Sequence, residues 1–388
     1  MPWECSAELF LICSDSEGVR VNGFIDFCKR EFSVVISFSA ALISCLFVPV
    51  TNYVDYIDTD TIGLLFCLMI AVAGFRDCGL LSFLSGKLLG GENPKSRRTG
   101  TLLVFISFFT SMLFTNDVAL IAFVPLTAAL FENLPKTMIY VITLQTAAAN
   151  LGSMLTPFGN PQNLYLYDRY GMTAGEFFSA TVPVTMLSAA LIFALCMLIK
   201  NEPLNTRSRS GAVIRNKRYL ALYSALFLLC LMTVFGKINV IVTFASVCIV
   251  AAIIDMRIFA AVDYGLLATF AFFFIFVGNI RNIGAVSGFV TNLMDGREML
   301  ASAAVSQVIS NVPAAVMLSG FTENSRALVL GTNIGGLGTI VASLASLISF
   351  RVYLETDEAK PLRYLGVFTL VNVLLLAVTF AFAYFFVL

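Results

Sequence analysis

The stretch from Thr101 to Tyr167 reads TLLVFISFFTSMLF-TND-VALIAFVPLTAALF (Thr101 to Phe131) and then, beyond a short polar loop, VITLQTAAANLGSML-TPFGNPQN-LYLY (Val141 to Tyr167). Both are apolar runs of membrane length, and each has a polar interruption in its middle. In a bilayer core an unpaired backbone amide or carbonyl costs several kcal/mol, so irregular backbone persists there only where protein or a hydrated cavity covers it. Thr115-Asn116-Asp117 and Thr156 to Asn163 are therefore read as two halves of one binding site.

The whole chain supports a membrane setting. Of 388 residues, 59% are hydrophobic and 12% charged, which is too little charged surface for a dissolved core of this size. Net charge is zero and no basic stripe is present, so nucleic acid is not an expected partner. Histidine is absent, which removes the commonest general base and metal ligand and disfavours an enzyme. The nine cysteines form no CxxC pair and read as small apolar residues, not as a disulfide framework.

Charge placement sets an expected topology. Residues 1–31 read as a cytoplasmic or interfacial segment, followed by spans at Phe32 to Val50 and from Thr61 to about Phe75. Three aspartates and no basic residue between Thr51 and Asp60 place that loop outside, and Lys95, Arg97 and Arg98 place the next one inside. The Thr101 to Phe131 arms are about 14 residues each, which reach roughly 21 Å, short of a full crossing of about 30 Å. They are expected to form a re-entrant hairpin opening to the cytoplasm. Six Lys or Arg between Lys200 and Arg218 mark a cytoplasmic linker, and Met299 to Phe321 forms a second short hairpin entered from outside. Nineteen of the 24 Lys and Arg then fall on the cytoplasmic side, as the positive-inside rule requires. The expected location is the cell (inner or plasma) membrane, multi-pass, with a cytoplasmic N-terminus.

The two halves of the chain match. VAGFRDCGLLS (Val72 to Ser82) aligns with VGNIRNIGAVS (Val277 to Ser287), and TNDVA (Thr115 to Ala119) with SNVPA (Ser310 to Ala314). ANLGSMLTPFGNPQNL (Ala149 to Leu164) aligns without a gap on TNIGGLGTIVASLASL (Thr332 to Leu347), pairing Asn150 with Asn333, Gly152 with Gly335, Thr156 with Thr339, Asn160 with Ser343 and Asn163 with Ser346. With one hairpin opening inward and the other outward, the repeats are inverted. Inverted repeats with paired discontinuous helices are the mark of a secondary transporter whose site lies between the repeats. The expected division is a segment 1–31, a first repeat 32–200, a linker 201–218, and a connecting helix with the second repeat 219–388. The fold class read here is an all-α polytopic membrane protein, an inverted-repeat transporter with two re-entrant hairpins and two broken transmembrane helices.

These tips and breaks resemble the ion transporter superfamily, which includes divalent-anion/sodium symporters, citrate transporter-like permeases, arsenite permeases and sodium/proton antiporters. The resemblance implies a dimeric scaffold, an elevator movement and cation sites where each tip meets a break. Carried onto this chain, the first set is Thr115, Asn116 and Asp117 facing Thr156, Gly159, Asn160 and Asn163. The second is Ser310 and Asn311 facing Asn333, Gly335, Gly338, Thr339 and Ser343. Sodium is expected near Asn116, Asp117 and Asn160, and near Ser310, Asn311 and Thr339. Dicarboxylate symporters carry Ser-Asn-Thr at both tips, whereas this chain has Thr-Asn-Asp and Ser-Asn-Val, and its Asn-Asp pair looks more like the arsenite-permease and citrate-permease-like branches.

Individual residues have competing structural readings. An ionised Asp117 deep in the membrane must bind a cation or hold a proton, unless it pairs with Arg76 or caps the helix that follows. Arg76 and Arg281 are expected to snorkel to headgroups, and Pro157 and Pro161 to break the helix. The reading is an ion-coupled (proton or sodium) secondary transporter of a small anion or oxyanion, without a cofactor and with a homodimer expected. Arsenite or antimonite efflux and sodium/proton antiport remain as alternatives.

Overall fold

The computed structural model describes residues 32–48, 53–89, 95–204, 214–357 and 359–388. The expected N-terminal segment and the middle of the basic linker lie outside the described residues. Among the described residues, helices account for nearly all regular structure, and one bridge between extended residues joins Lys95 to Pro203. Five helices among the described residues are long and apolar enough to cross a membrane: Thr59–Asp77, Ala174–Cys196, Lys217–Val234, Tyr264–Arg281 and Pro361–Phe386. The chain is an all-α polytopic membrane protein.

The first half runs α1 (Phe32–Phe47), α2 (Thr59–Asp77), α3 (Leu80–Leu89), α4 (Ser96–Leu113), α5 (Asn116–Leu130), α6 (Pro135–Ser153), α7 (Pro161–Arg169) and α8 (Ala174–Cys196). The second runs α9 (Lys217–Val234), α10 (Val240–Ile254), α11 (Tyr264–Arg281), α12 (Gly284–Met294), α13 (Glu298–Ile309), α14 (Asn311–Leu318), α15 (Ser325–Gly335), α16 (Leu344–Leu354) and α17 (Pro361–Phe386). α2 packs on α9 and α10, and α11 on α1, while the hairpins α4–α5 and α13–α14 pack on α6 and α15.

The two hairpins open toward opposite ends of the molecule. At the open end of α4–α5, Ser96 Oγ donates to the Lys200 carbonyl at 2.6 Å and Arg97 Nε to that of Ile199 at 2.8 Å. From that end α6 and α7 run to the other, where Tyr170 donates to the Thr322 carbonyl at 2.9 Å, beyond the open end of α13–α14. Broken helix α15–α16 runs back antiparallel to α6–α7. The halves also interlock, because α16 packs on α5 and α7 on α14.

Two expectations about these elements change. The first hairpin arm begins at Ser96, so at 18 residues it is about 27 Å long. The polar start SRRT is helical because Ser96 and Arg97 are tied to the Lys200 segment, an anchor that hydrophobicity cannot report. Pro161, expected to break a helix, opens one: it sits at the first position of α7 behind an Asn160 cap whose Oδ1 accepts from the Asn163 amide at 2.9 Å. The break itself is Met154 to Asn160.

Candidate functional site

Equivalent residues make equivalent contacts around the two breaks. Thr156 Oγ1 donates to the Met112 carbonyl at 2.6 Å, and Thr339 Oγ1 to the Gln307 carbonyl at 3.0 Å. Met112 and Gln307 each lie four residues before a tip asparagine. A side-chain carbon added to Gly152 would strike Phe108 and Ser111, and one added to Gly335 would strike Ala303 and Ser306. Those are again the same two hairpin positions, so glycine is what lets each broken helix touch its hairpin.

Between the breaks, the asparagines cross from one half to the other. Asn160 Nδ2 donates to Asn333 Oδ1 at 2.9 Å, and Asn333 Nδ2 returns a bond to Asn163 Oδ1 at 2.5 Å. On the pseudo-symmetric side, Asn150 Oδ1 accepts from Ser343 Oγ at 3.0 Å and from Asn116 Nδ2 at 2.9 Å. All six residues are buried. Arms and tips thus meet breaks of their own half, and two clusters of polar side chains also join one half to the other. Asn150 was legible through its alignment with Asn333.

In each half one amide side chain bonds three backbone groups around the break. Asn163 Nδ2 reaches back to the carbonyls of Ser153, Met154 and Thr156 at 3.4, 3.3 and 3.1 Å. Gln307 Nε2 donates to the carbonyls of Gly335 and Leu337 at 2.8 and 3.0 Å, and its Oε1 accepts from the Thr339 amide at 2.9 Å. Gly338 lies against that side chain with φ +99°, and Gly159 packs on Ser153 and Thr156. These residues shape backbone. Thr339 is exposed, turned onto Gln307, and is not among the residues lining the cavity, so it does not join Ser310 there.

A cavity of about 680 Å³ lies beside this network. Thr115, Asp117, Asn160 and Ser310 bring the N-termini of α5, α7 and α14 to its wall, and Arg76, Asp263 and Arg351 line it as well. Three helix N-termini turned to one space favour an anion. Asn160 has its amide committed to Ser153, Asn163 and Asn333. Thr115 makes no capping bond, and among the described residues no side chain donates to the Asp117 carboxylate. Free oxygen therefore comes from Thr115, Asp117 and the Ser310 hydroxyl, whose bonds at 3.4 and 3.5 Å are long.

Two cavity features escaped the sequence reading. Asp263, the N-cap of α11 through a 2.9 Å bond from the Leu266 amide, is close enough to Asp117 for their charges to interact. Ser310 is the one described non-glycine residue with positive φ, at 76°, so the second tip holds backbone strain where the first, with Thr115 at φ −60°, holds none. Asn116 and Asn311 accept from the following amides at 3.0 and 2.9 Å, which fixes both tips.

Comparison with known proteins agrees with this architecture. The family profile described as citrate transporter matches residues 28–325, through the first hairpin, the first break and the second tip. The chain belongs to the citrate transporter family. It is 32% identical over 355 residues to an uncharacterized transporter of Methanocaldococcus jannaschii, covering 91% of this chain and 97% of the relative. It is 31% identical over 310 residues to the inner membrane protein YbiR of Escherichia coli, covering 76% and 80%. A silicon efflux transporter of Oryza sativa is 32% identical over a shorter 149 residues, 37% of this chain and 30% of that protein. Members of the citrate transporter family are transporters, not enzymes.

Proposed function

We propose that this protein is an ion-coupled secondary transporter of a small anion or oxyanion, with the cavity beside the tips as its binding site and Asp117 as its coupling residue. The observation that carries the reading is the convergence of three helix N-termini on a cavity that also holds a carboxylate to which no described side chain donates. The N-termini offer amides to an anion, and the carboxylate makes a bound anion dependent on a proton or sodium ion. Arg76 and Arg351 line the cavity at the helix ends that the positive-inside rule assigns to the cytoplasm, so the conformation is read as inward-facing in a cell membrane. Alternating access then moves the hairpins and broken helices as an elevator within a homodimer, exposing the tips to the other side.

Efflux of a neutral oxoacid is the second reading. The silicon efflux transporter among its relatives favours it, as do the Thr115 and Ser310 hydroxyls, which suit an uncharged polyhydroxylated solute. Thermal-shift measurements on purified protein separate the readings, because a ligand that binds the folded state raises the melting temperature. Stabilisation by carboxylates, sulfate or phosphate, deepened by sodium or by low pH, supports the anion transporter. Stabilisation by arsenite or silicic acid alone supports the neutral oxoacid, and by sodium alone a sodium/proton antiporter. In proteoliposomes Asp117→Asn is expected to fold normally and abolish the pH or sodium dependence of uptake of the identified ligand; an unchanged dependence removes Asp117 from the coupling role.

A further inference from the structure

A second cavity, of about 400 Å³, lies at the end of the molecule where the first hairpin opens, and it shares no lining residue with the central one. Its walls are the start of α6 and the segment that follows α8. Tyr140 joins them, its hydroxyl donating to the Leu195 carbonyl at 3.0 Å. The second wall is fixed in turn by the first hairpin arm, because Ser96 Oγ donates to the Lys200 carbonyl at 2.6 Å and accepts from the Glu202 amide at 2.8 Å. The space is thus enclosed by tied elements.

Several donors on these walls are unspent. α6 opens on Leu134, which supplies no side-chain cap, and among the described residues nothing accepts from the amides of Lys136 and Thr137. The Thr137 hydroxyl makes no bond either, although Thr137 lines the cavity and is only 8% exposed. Lys136 and Lys200 line it too, and neither is ion-paired among the described residues. Free N-terminal amides and a buried hydroxyl lack hydrogen bonds that a ligand can restore. Two ammonium groups add charge of the same sign as the helix N-terminus, so that ligand is an anion. Glu202 is the one carboxylate on the walls, against two lysines.

Two features point to a lipid as the source of the anion. The positive-inside rule assigns this end to the cytoplasm, where basic pockets between transmembrane helices hold anionic headgroups. Leu198, 69% exposed, lines the cavity, and exposed Phe193 and Met197 continue an apolar surface along α8 on which an acyl chain can lie. We propose that this cavity binds the phosphate of an anionic phospholipid with a hydroxylated headgroup, phosphatidylglycerol in the simplest case. Lys136, Lys200, the Thr137 hydroxyl and the first amides of α6 hold the phosphate, and Glu202 accepts from the glycerol hydroxyls. The volume lies within the range of small-molecule sites, about 300 to 1,000 Å³. Binding here is independent of what the central cavity carries.

Thermal shifts of the full chain in detergent test this, because a ligand of the folded state raises its melting temperature. Phosphatidylglycerol is expected to raise it by several degrees and phosphatidylcholine by little. Replacing both exposed lysines, Lys136→Gln with Lys200→Gln, should remove most of that rise, whereas Lys360→Gln, an exposed lysine at the same end but outside the cavity, should keep it. Thr137→Val keeps the branched shape without the hydroxyl, so it should melt no lower than the parent without lipid and gain less from phosphatidylglycerol. An equal rise in the parent and the double-lysine variant overturns the proposal, since the lipid then acts elsewhere. A rise of the same size and the same lysine dependence from glycerol 1-phosphate, which has no acyl chains, overturns the assignment to a lipid.

Discussion

The two breaks solve one problem with amides placed differently. Unwinding a helix leaves carbonyls without partners, and in a membrane interior each must find one. The first half answers from across its own break with Asn163, and its hairpin arm has an apolar Met112. The second half carries Ser346 where Asn163 would be, and Gln307 where Met112 would be. The amide has moved from the broken helix to the neighbouring arm while the carbonyls stay covered. Backbone demand is thus conserved between the repeats although the residue meeting it is not.

The largest expected effect lies where the halves join. Asn333→Ala leaves Asn163 Oδ1 buried without its partner and Asn160 Nδ2 with Ser153 alone, a loss of roughly 2 to 6 kcal/mol at about 1 to 3 for each affected group. Its melting temperature should fall further than that of Asn150→Ala, whose loss strands the shorter Ser343 hydroxyl and the Asn116 amide. Equal losses would mean that the two junctions are interchangeable.

An intermediate effect tests the swap itself. Asn163→Ser copies the second half into the first and should cost about 2 to 3 kcal/mol from uncovered carbonyls. Adding Met112→Gln supplies the arm amide and should recover part of that loss, more than the sum of the two single changes allows. A strictly additive pair would show that the amides are not alternatives. Gln307→Met should correspondingly speed amide hydrogen exchange at Leu337 to Thr339 and leave the Met154 to Asn160 break unchanged.

The smallest effect concerns the tips. Ser310→Gly relieves a positive φ and should stabilise the fold by up to about 1 kcal/mol, while Thr115→Gly, at φ −60°, should bring no gain. Weaker ligand binding in a more stable Ser310→Gly protein would show that the strained hydroxyl is kept for contact with ligand.

Much of this was legible in the sequence. A gapless match between the halves places both breaks and both tips, because a polar residue in a membrane-length apolar run is costly and therefore informative. Pro161 misled because proline disrupts a helix interior yet suits a first turn, and only the preceding asparagine cap tells the cases apart. Gln307 lies inside an ordinary helical pattern, and the three break residues it bonds are about thirty residues distant. Asp263 reads as a helix cap at a membrane boundary, which it is; that it also shares a cavity with Asp117 follows from packing alone. Crossing of asparagines between halves is equally non-local, since repeat symmetry says which residues correspond and not which ones meet.

That crossing bears on how such a chain could have arisen and on how it can be divided. Asn333 is bonded to two residues of the first half, and Asn150 to two of the second, Ser343 and Gly336. Severed between Lys200 and Arg218, either fragment would hold an unwound helix whose asparagine has lost its bonds to the other half. Two separately made fragments should be degraded alone and persist together, the behaviour of a heterodimer whose subunits were later joined.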